Sequence, residues 1–136
     1  MNRHDSRVAA VQGIYSWDMN ENKEAADVQN FNWLEGKKSD DDLAFARLML
    51  CGTIENVAQI DSEIKSRLSP NWEFSRVNKV TLAILRVSAY SLLYQKDLES
   101  AVIINEAVEI AKSFGIDDQT AFINGILDRM AKEKRQ

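Results

Sequence analysis

A chain of 136 residues and 15.5 kDa has room for one domain, divisible into two small packed halves. Its 45% hydrophobic and 28% charged residues argue against a disordered chain, and no apolar run exceeds four residues, which excludes a membrane-spanning helix. The net charge of −4 is uneven: +1 over residues 1–17, −7 over 18–63 and +2 over 64–136. Bulk attraction to nucleic acid is therefore not expected, and such a role would need a local basic patch or a basic partner.

Residues 3–19 read as a first helix, with Val8, Val11, Ile14 and Tyr15 at helical spacing and Arg3 and Arg7 one turn apart. The polar start leads into no apolar segment, so no signal peptide is expected. Residues 20–41 are irregular apart from the cluster Phe31, Trp33 and Leu34, and Gly36-Lys37-Lys38-Ser39 marks a loop. Asp40, Asp41 and Asp42 suit a helix start. That helix runs to about residue 58, with Leu43, Ala46, Leu50 and Ile54 facing inward. Asp61 is the expected cap of a short helix ending at Leu68-Ser69-Pro70, where proline breaks the pattern. Asn71-Trp72-Glu73-Phe74 follows as a loop pinned to the core by its aromatics.

Ser75 is the expected cap of a helix over 76–95, whose wide apolar arc marks it as the central one. Ser100 is the expected cap of a helix over 101–114 facing inward with Ile103, Ala107, Ile110 and Phe114, and Gly115 suits the left-handed position after it. Asp117 or Asp118 opens a last helix carrying Ile123, Ile126, Leu127 and Met130, and the charged tail 132–135 is expected to fray. The fold class is all-α, with six or seven helices in one domain of two packed halves, about 1–58 and 59–136.

Catalysis finds little support. There is no nucleophile-elbow motif, no phosphate-cradling glycine loop and no cysteine pair. The sole histidine, His4, stands at an end expected to be mobile, so neither a histidine-assisted nucleophile nor a histidine metal site is expected. Cys51, alone in an apolar run, reads as a small buried hydrophobe and suits a reducing cytoplasm. Glu106 and Glu109 read as a solvated helix face. No cofactor is called for. Phe122 lies about 100° from Ile123 at the margin of the last apolar stripe. It either closes the edge of the core or offers a ring to an unpaired base.

Four blocks carry a family resemblance. They are Ala10-Val11-Gln12-Gly13-Ile14-Tyr15-Ser16-Trp17, Ala83-Ile84-Leu85-Arg86-Val87-Ser88-Ala89-Tyr90, the run Ile104 to Gly115 (INEAVEIAKSFG), and Phe122-Ile123-Asn124-Gly125-Ile126-Leu127-Asp128. In this order and spacing the chain resembles the NusB family of bacterial transcription antitermination factors. The resemblance implies two helical subdomains and a partnership with NusE, a small-subunit ribosomal protein. It also implies binding of single-stranded boxA RNA in ribosomal leader transcripts, within the RNA polymerase antitermination complex. A basic partner would supply phosphate attraction that this acidic chain lacks.

Carried over residue by residue, the resemblance implies RNA contacts at Arg3, Arg7, Asp118, Gln119 and Phe122, with Phe122 as stacking ring. It implies NusE contacts at Tyr15 and Thr81, the latter standing where an acidic residue usually meets an arginine of NusE. His4 and Asp5 fall where further basic residues are usual, so the arm is depleted. Asn105 is expected to be a buried amide, and Asn124-Gly125 a close helix approach. The alternative is a helical interaction module with weakened or no specific RNA binding. A related domain precedes the catalytic domain of some ribosomal RNA methyltransferases, but no glycine-rich cofactor segment follows within these residues.

Overall fold

The computed structural model describes residues 1–20, 24–25, 28–36 and 38–135. Lys37 of the expected loop lies outside them. Six α-helices follow in chain order: α1 (Arg3–Met19), α2 (Asp40–Glu55), α3 (Val57–Lys65), α4 (Lys79–Tyr94), α5 (Ser100–Ser113) and α6 (Thr120–Lys134). Single 3₁₀ turns at Phe74–Arg76 and Asp117–Gln119 lead into α4 and α6. Among the described residues there is no strand.

The starts of the helices are set by local polar chemistry. Asn2 caps α1 by accepting from the Asp5 amide at 2.8 Å. Ser39 and Asp42 form a reciprocal capping box at α2, each side chain satisfying the other's backbone donor. Three expected caps are displaced. Asp61 lies inside α3, which starts four residues earlier after Asn56, and its carboxylate is committed to Arg86. Asn78, not Ser75, caps α4, accepting from the Val80 and Thr81 amides. Ser100 is the first residue of α5, whose cap position is Glu99 without a side-chain bond.

α4 is the axis of the molecule. Every residue from Thr81 to Leu92 is buried, and α4 packs against α1, α2 and α3 on one side and α5 and α6 on the other. α1 and α2 also pack on each other, as do α5 and α6, and the buried apolar residues form one continuous cluster. A helix apolar around most of its circumference has to be enclosed this way, since no face of it can be left in water without exposing apolar area.

Close packing explains one glycine and leaves another open. A Cβ on Gly52 would overlap the Tyr90 ring, so α2 meets α4 here because Gly52 has no side chain. Gly125, expected at a close helix approach, is exposed with nothing within 4 Å of where its Cβ would stand. Asn105 is likewise exposed rather than a buried amide. Gly115 adopts φ +75°, the left-handed conformation expected after α5.

The chain's last described turn is bound rather than frayed. The Arg135 guanidinium donates to the carbonyls of Leu92, Leu98, Ser91 and Gln95 and to Ser100 Oγ, at 2.6–3.3 Å. The Ser91 and Gln95 carbonyls also accept backbone bonds from Gln95 and Leu98, so the cation adds a second partner there and supplies one to Leu92 at the end of α4 and to Leu98 in the turn beyond it.

Candidate functional site

The start of α1 gathers a basic group over one aromatic ring. Residues three and four apart on a helix share a face, which brings Arg3 and Arg7 together. The Arg3 guanidinium lies 3.6 Å from the centre of the Phe45 ring on α2, and that of Arg7 lies 5.7 Å from it. Arg3 is exposed, but Arg7 is only 6% exposed and its Nε has no hydrogen-bond partner. Burial works against the Arg7 charge and lowers its pKa, opposed by Glu106 and reinforced by Arg3. His4, expected on a mobile end, belongs to α1, where its Nδ1 is paired with Glu106 Oε2 on α5. Glu106 is thus half-buried and engaged, not part of a freely solvated face.

A second feature opens between α1, α4 and the end of α5. Val11, Gln12, Tyr15, Val80 and Phe114 line an open, apolar cleft of about 200 Å³, and Tyr15 is 39% exposed. Thr81, implied as a partner contact beside it, is fully buried and donates to Gln119 Oε1 at 3.1 Å. α4 is enclosed at that turn, so Thr81 cannot itself face a partner; it holds Gln119 instead. Gln119 in turn donates to Asp118 Oδ2 at 3.3 Å, and Asp118 is exposed.

Phe122 combines the two readings weighed for it. It is half-buried against the core, and its ring pairs with Trp72 at 5.4 Å between centres, tilted by 42°. Trp72 is itself 51% exposed, so the loop after Pro70 is not pinned by sinking this ring into the core. Among the described residues no hydrogen bond, ion pair or ring contact joins the Arg3–Arg7 group to the Phe122–Trp72 pair. Tyr15 and Thr81–Gln119 are brought together through neighbouring positions on α4, Val80 and Thr81.

Sequence reasoning missed Phe45 and the part played by Trp72 as a partner ring to Phe122. Nothing in the spacing of α2 marks Phe45 as the floor beneath two arginines of α1. Trp72 did carry a signal: a tryptophan in a polar loop next to a proline needs a surface to lie on. Among the described residues no group of three metal-binding side chains occurs, and no helix is long and apolar enough to cross a membrane.

These features define a small helical bundle whose candidate sites are open surfaces suited to binding. Residues 4–132 match the model of the NusB family, and the chain belongs to that family. The transcription antitermination protein NusB of Treponema pallidum (strain Nichols) is 45% identical, over 96% of this chain and 92% of its own length. The protein of the same name from Shewanella frigidimarina is 39% identical, over 97% and 96%. T. maritima NusB superposes with a TM-score of 0.88 at 31% identity, over 100% of this chain and 94% of that one. A chain from a crystal structure of antitermination factors NusB and NusE in complex with dsRNA has the same fold, with a TM-score of 0.83 at 22% identity over 98% and 99%.

Proposed function

We propose that the chain is a cytoplasmic, non-enzymatic transcription antitermination factor that binds boxA RNA of ribosomal leader transcripts together with NusE. The observation that carries this reading is membership of the NusB family over residues 4–132. Its candidate contact residues Arg3, Tyr15 and Asp118 are exposed, and Phe122 and Gln119 are partly so. In this reading Arg3 meets phosphate, while Phe122 and the Asp118–Gln119 turn border the base. Single-stranded RNA is read by stacking and base-edge bonds, so an acidic chain can serve if its partner supplies positive charge. Tyr15 and the apolar cleft around it receive NusE, with Thr81 supporting that surface from beneath.

Arg7 enters differently from Arg3. Its guanidinium is desolvated and its Nε unpartnered, which favours an incoming anion close to the start of α1. The second reading, a helical interaction module with weakened RNA binding, draws on the engagement of His4 with Glu106 and on Asp5 beside it.

Size-exclusion chromatography of the protein mixed with NusE tests the partnership. Co-elution is expected, and Tyr15→Ala should weaken it while leaving the fold intact. Separate elution of the wild-type protein and NusE at micromolar concentrations contradicts the reading.

A further inference from the structure

Beside Phe122 lies a cleft of about 240 Å³ lined by Arg67, Ser69, Trp72, Phe122, Gly125 and Arg129, among others. It is small against the roughly 300–1,000 Å³ of drug-sized sites, a scale that suits one planar ring. Three features set its chemistry. Trp72 offers half its surface to solvent although it is large and apolar, held in place by the turn in which its amide donates to Ser69 O at 2.9 Å. Gly125 has open space where a side chain would stand, which keeps the wall of α6 clear. Arg129 is exposed, and its Nη1 donates to the Arg67 carbonyl at 3.1 Å, so the guanidinium is anchored at the rim.

The two charged side chains that line the cleft, Arg67 and Arg129, are both cations. Arg67 is neutralised by Glu63 and Glu133 at 2.9 and 3.0 Å, and the lining contains no carboxylate. Among the described residues Arg129 has no carboxylate partner, so it is the cation left for a ligand. An exposed ring next to an anchored, unneutralised arginine suits a planar group that carries an anion. An unpaired nucleotide has both parts.

We infer that this cleft is a nucleobase site in which one unpaired base of the RNA stacks on Trp72 and the adjoining phosphate pairs with Arg129. Phe122 then backs the Trp72 ring and holds its tilt, so that the outward stacking face belongs to Trp72. This rests on the RNA-binding reading above and adds Trp72 and Arg129 to it.

The test titrates fluorescent single-stranded boxA RNA, with NusE present, into the wild type and the variants Trp72→Ala, Trp72→Phe and Arg129→Ala, over a range of salt. Trp72→Ala should weaken binding by about 5- to 150-fold with the salt slope unchanged, and Trp72→Phe should keep most of the affinity. Arg129→Ala should shallow the salt slope by roughly one phosphate. Thermal unfolding of each variant separates lost stacking from lost fold. Wild-type affinity in both Trp72→Ala and Arg129→Ala overturns this site while leaving the RNA-binding reading standing. Failure of the wild type to bind RNA overturns both. Should Trp72→Ala unfold, an unchanged salt slope in folded Arg129→Ala overturns the site.

Discussion

Arg86 on α4 and Asp61 on α3 are joined by two parallel hydrogen bonds, Nε to Oδ1 and Nη2 to Oδ2, each 2.8 Å long. The Arg86 side chain is 7% exposed, and Asp18 of α1 lies 3.4 Å from its Nη1. Burial disfavours the Arg86 charge, but the two carboxylates outweigh it and raise its pKa. Three helices therefore meet at one desolvated cation, within 5.9 Å of the Trp17 and Phe74 ring centres.

Removing one partner of such a pair leaves a buried charge uncompensated, which typically costs about 3–5 kcal/mol. Arg86→Met should destabilise the protein by that order, because Asp61 then loses its cation while Asp18 keeps only Lys79, 3.8 Å away. Arg86→Lys should recover only part of the loss, since an ammonium cannot make the two-pronged contact. Urea unfolding measures both, and a change below about 1 kcal/mol in Arg86→Met would show the pair to be dispensable.

Two glycines inside helices predict opposite signs. Gly52→Ala places a methyl group into the Tyr90 ring and should destabilise by about 1–3 kcal/mol, the usual range for overpacking. Gly125→Ala meets open space and should stabilise by roughly 0.5–1 kcal/mol through helix propensity. Equal shifts in melting temperature for the two variants would contradict the packing described.

Acid should loosen the junction of α3 and α6. Glu63 accepts from Arg67 and Lys134, both at 2.9 Å, and these bonds hold its carboxyl below the usual 4.5. A depressed folded pKa contributes stability that is fully present above the unfolded value and is lost as pH falls through the folded one. Glu63→Gln should therefore lower stability at pH 7 and flatten its decline below about pH 4.5, read from urea unfolding at several pH values. An unchanged pH profile in the variant would remove Glu63 from the acid response.

The helices were legible because apolar residues recur at helical spacing, and the burial of α4 follows from its wide apolar arc. That same arc encloses Thr81, which the family resemblance alone placed at a partner surface. Caps were less legible, since Asp61 and Ser75 have the right chemistry but Asn56 and Asn78 hold the positions where the backbone turns. Long-range polar pairs left no trace in the local pattern. Arg135 reaches acceptors 35 to 44 residues away, and Arg86 reads simply as part of an apolar helix until Asp61 is brought beside it. Phe122 was divided between two readings because it sits at the edge of the core, and only the placement of Trp72 shows which ring faces outward.

The depleted arm also sets how RNA binding should respond to sequence. The Arg3 guanidinium sits 3.6 Å from the Phe45 ring centre, so Phe45→Leu should free its side chain and weaken RNA binding by roughly the 0.5–1 kcal/mol of an exposed cation–π contact. Comparing Phe45→Leu in the Arg3 and Arg3→Ala backgrounds checks this, since most of the effect should vanish when Arg3 is absent, leaving only what passes through Arg7, 5.7 Å from the same ring.

RNA recognition with NusE is read most directly by titrating labelled boxA RNA and a scrambled control of equal length with this protein, alone and with NusE, in one buffer. Weak binding alone is expected, with a gain of about 5- to 150-fold on adding NusE that is confined to boxA, the range of a typical coupling between linked sites. Equal affinity for both RNAs, or no gain on adding NusE, would contradict it.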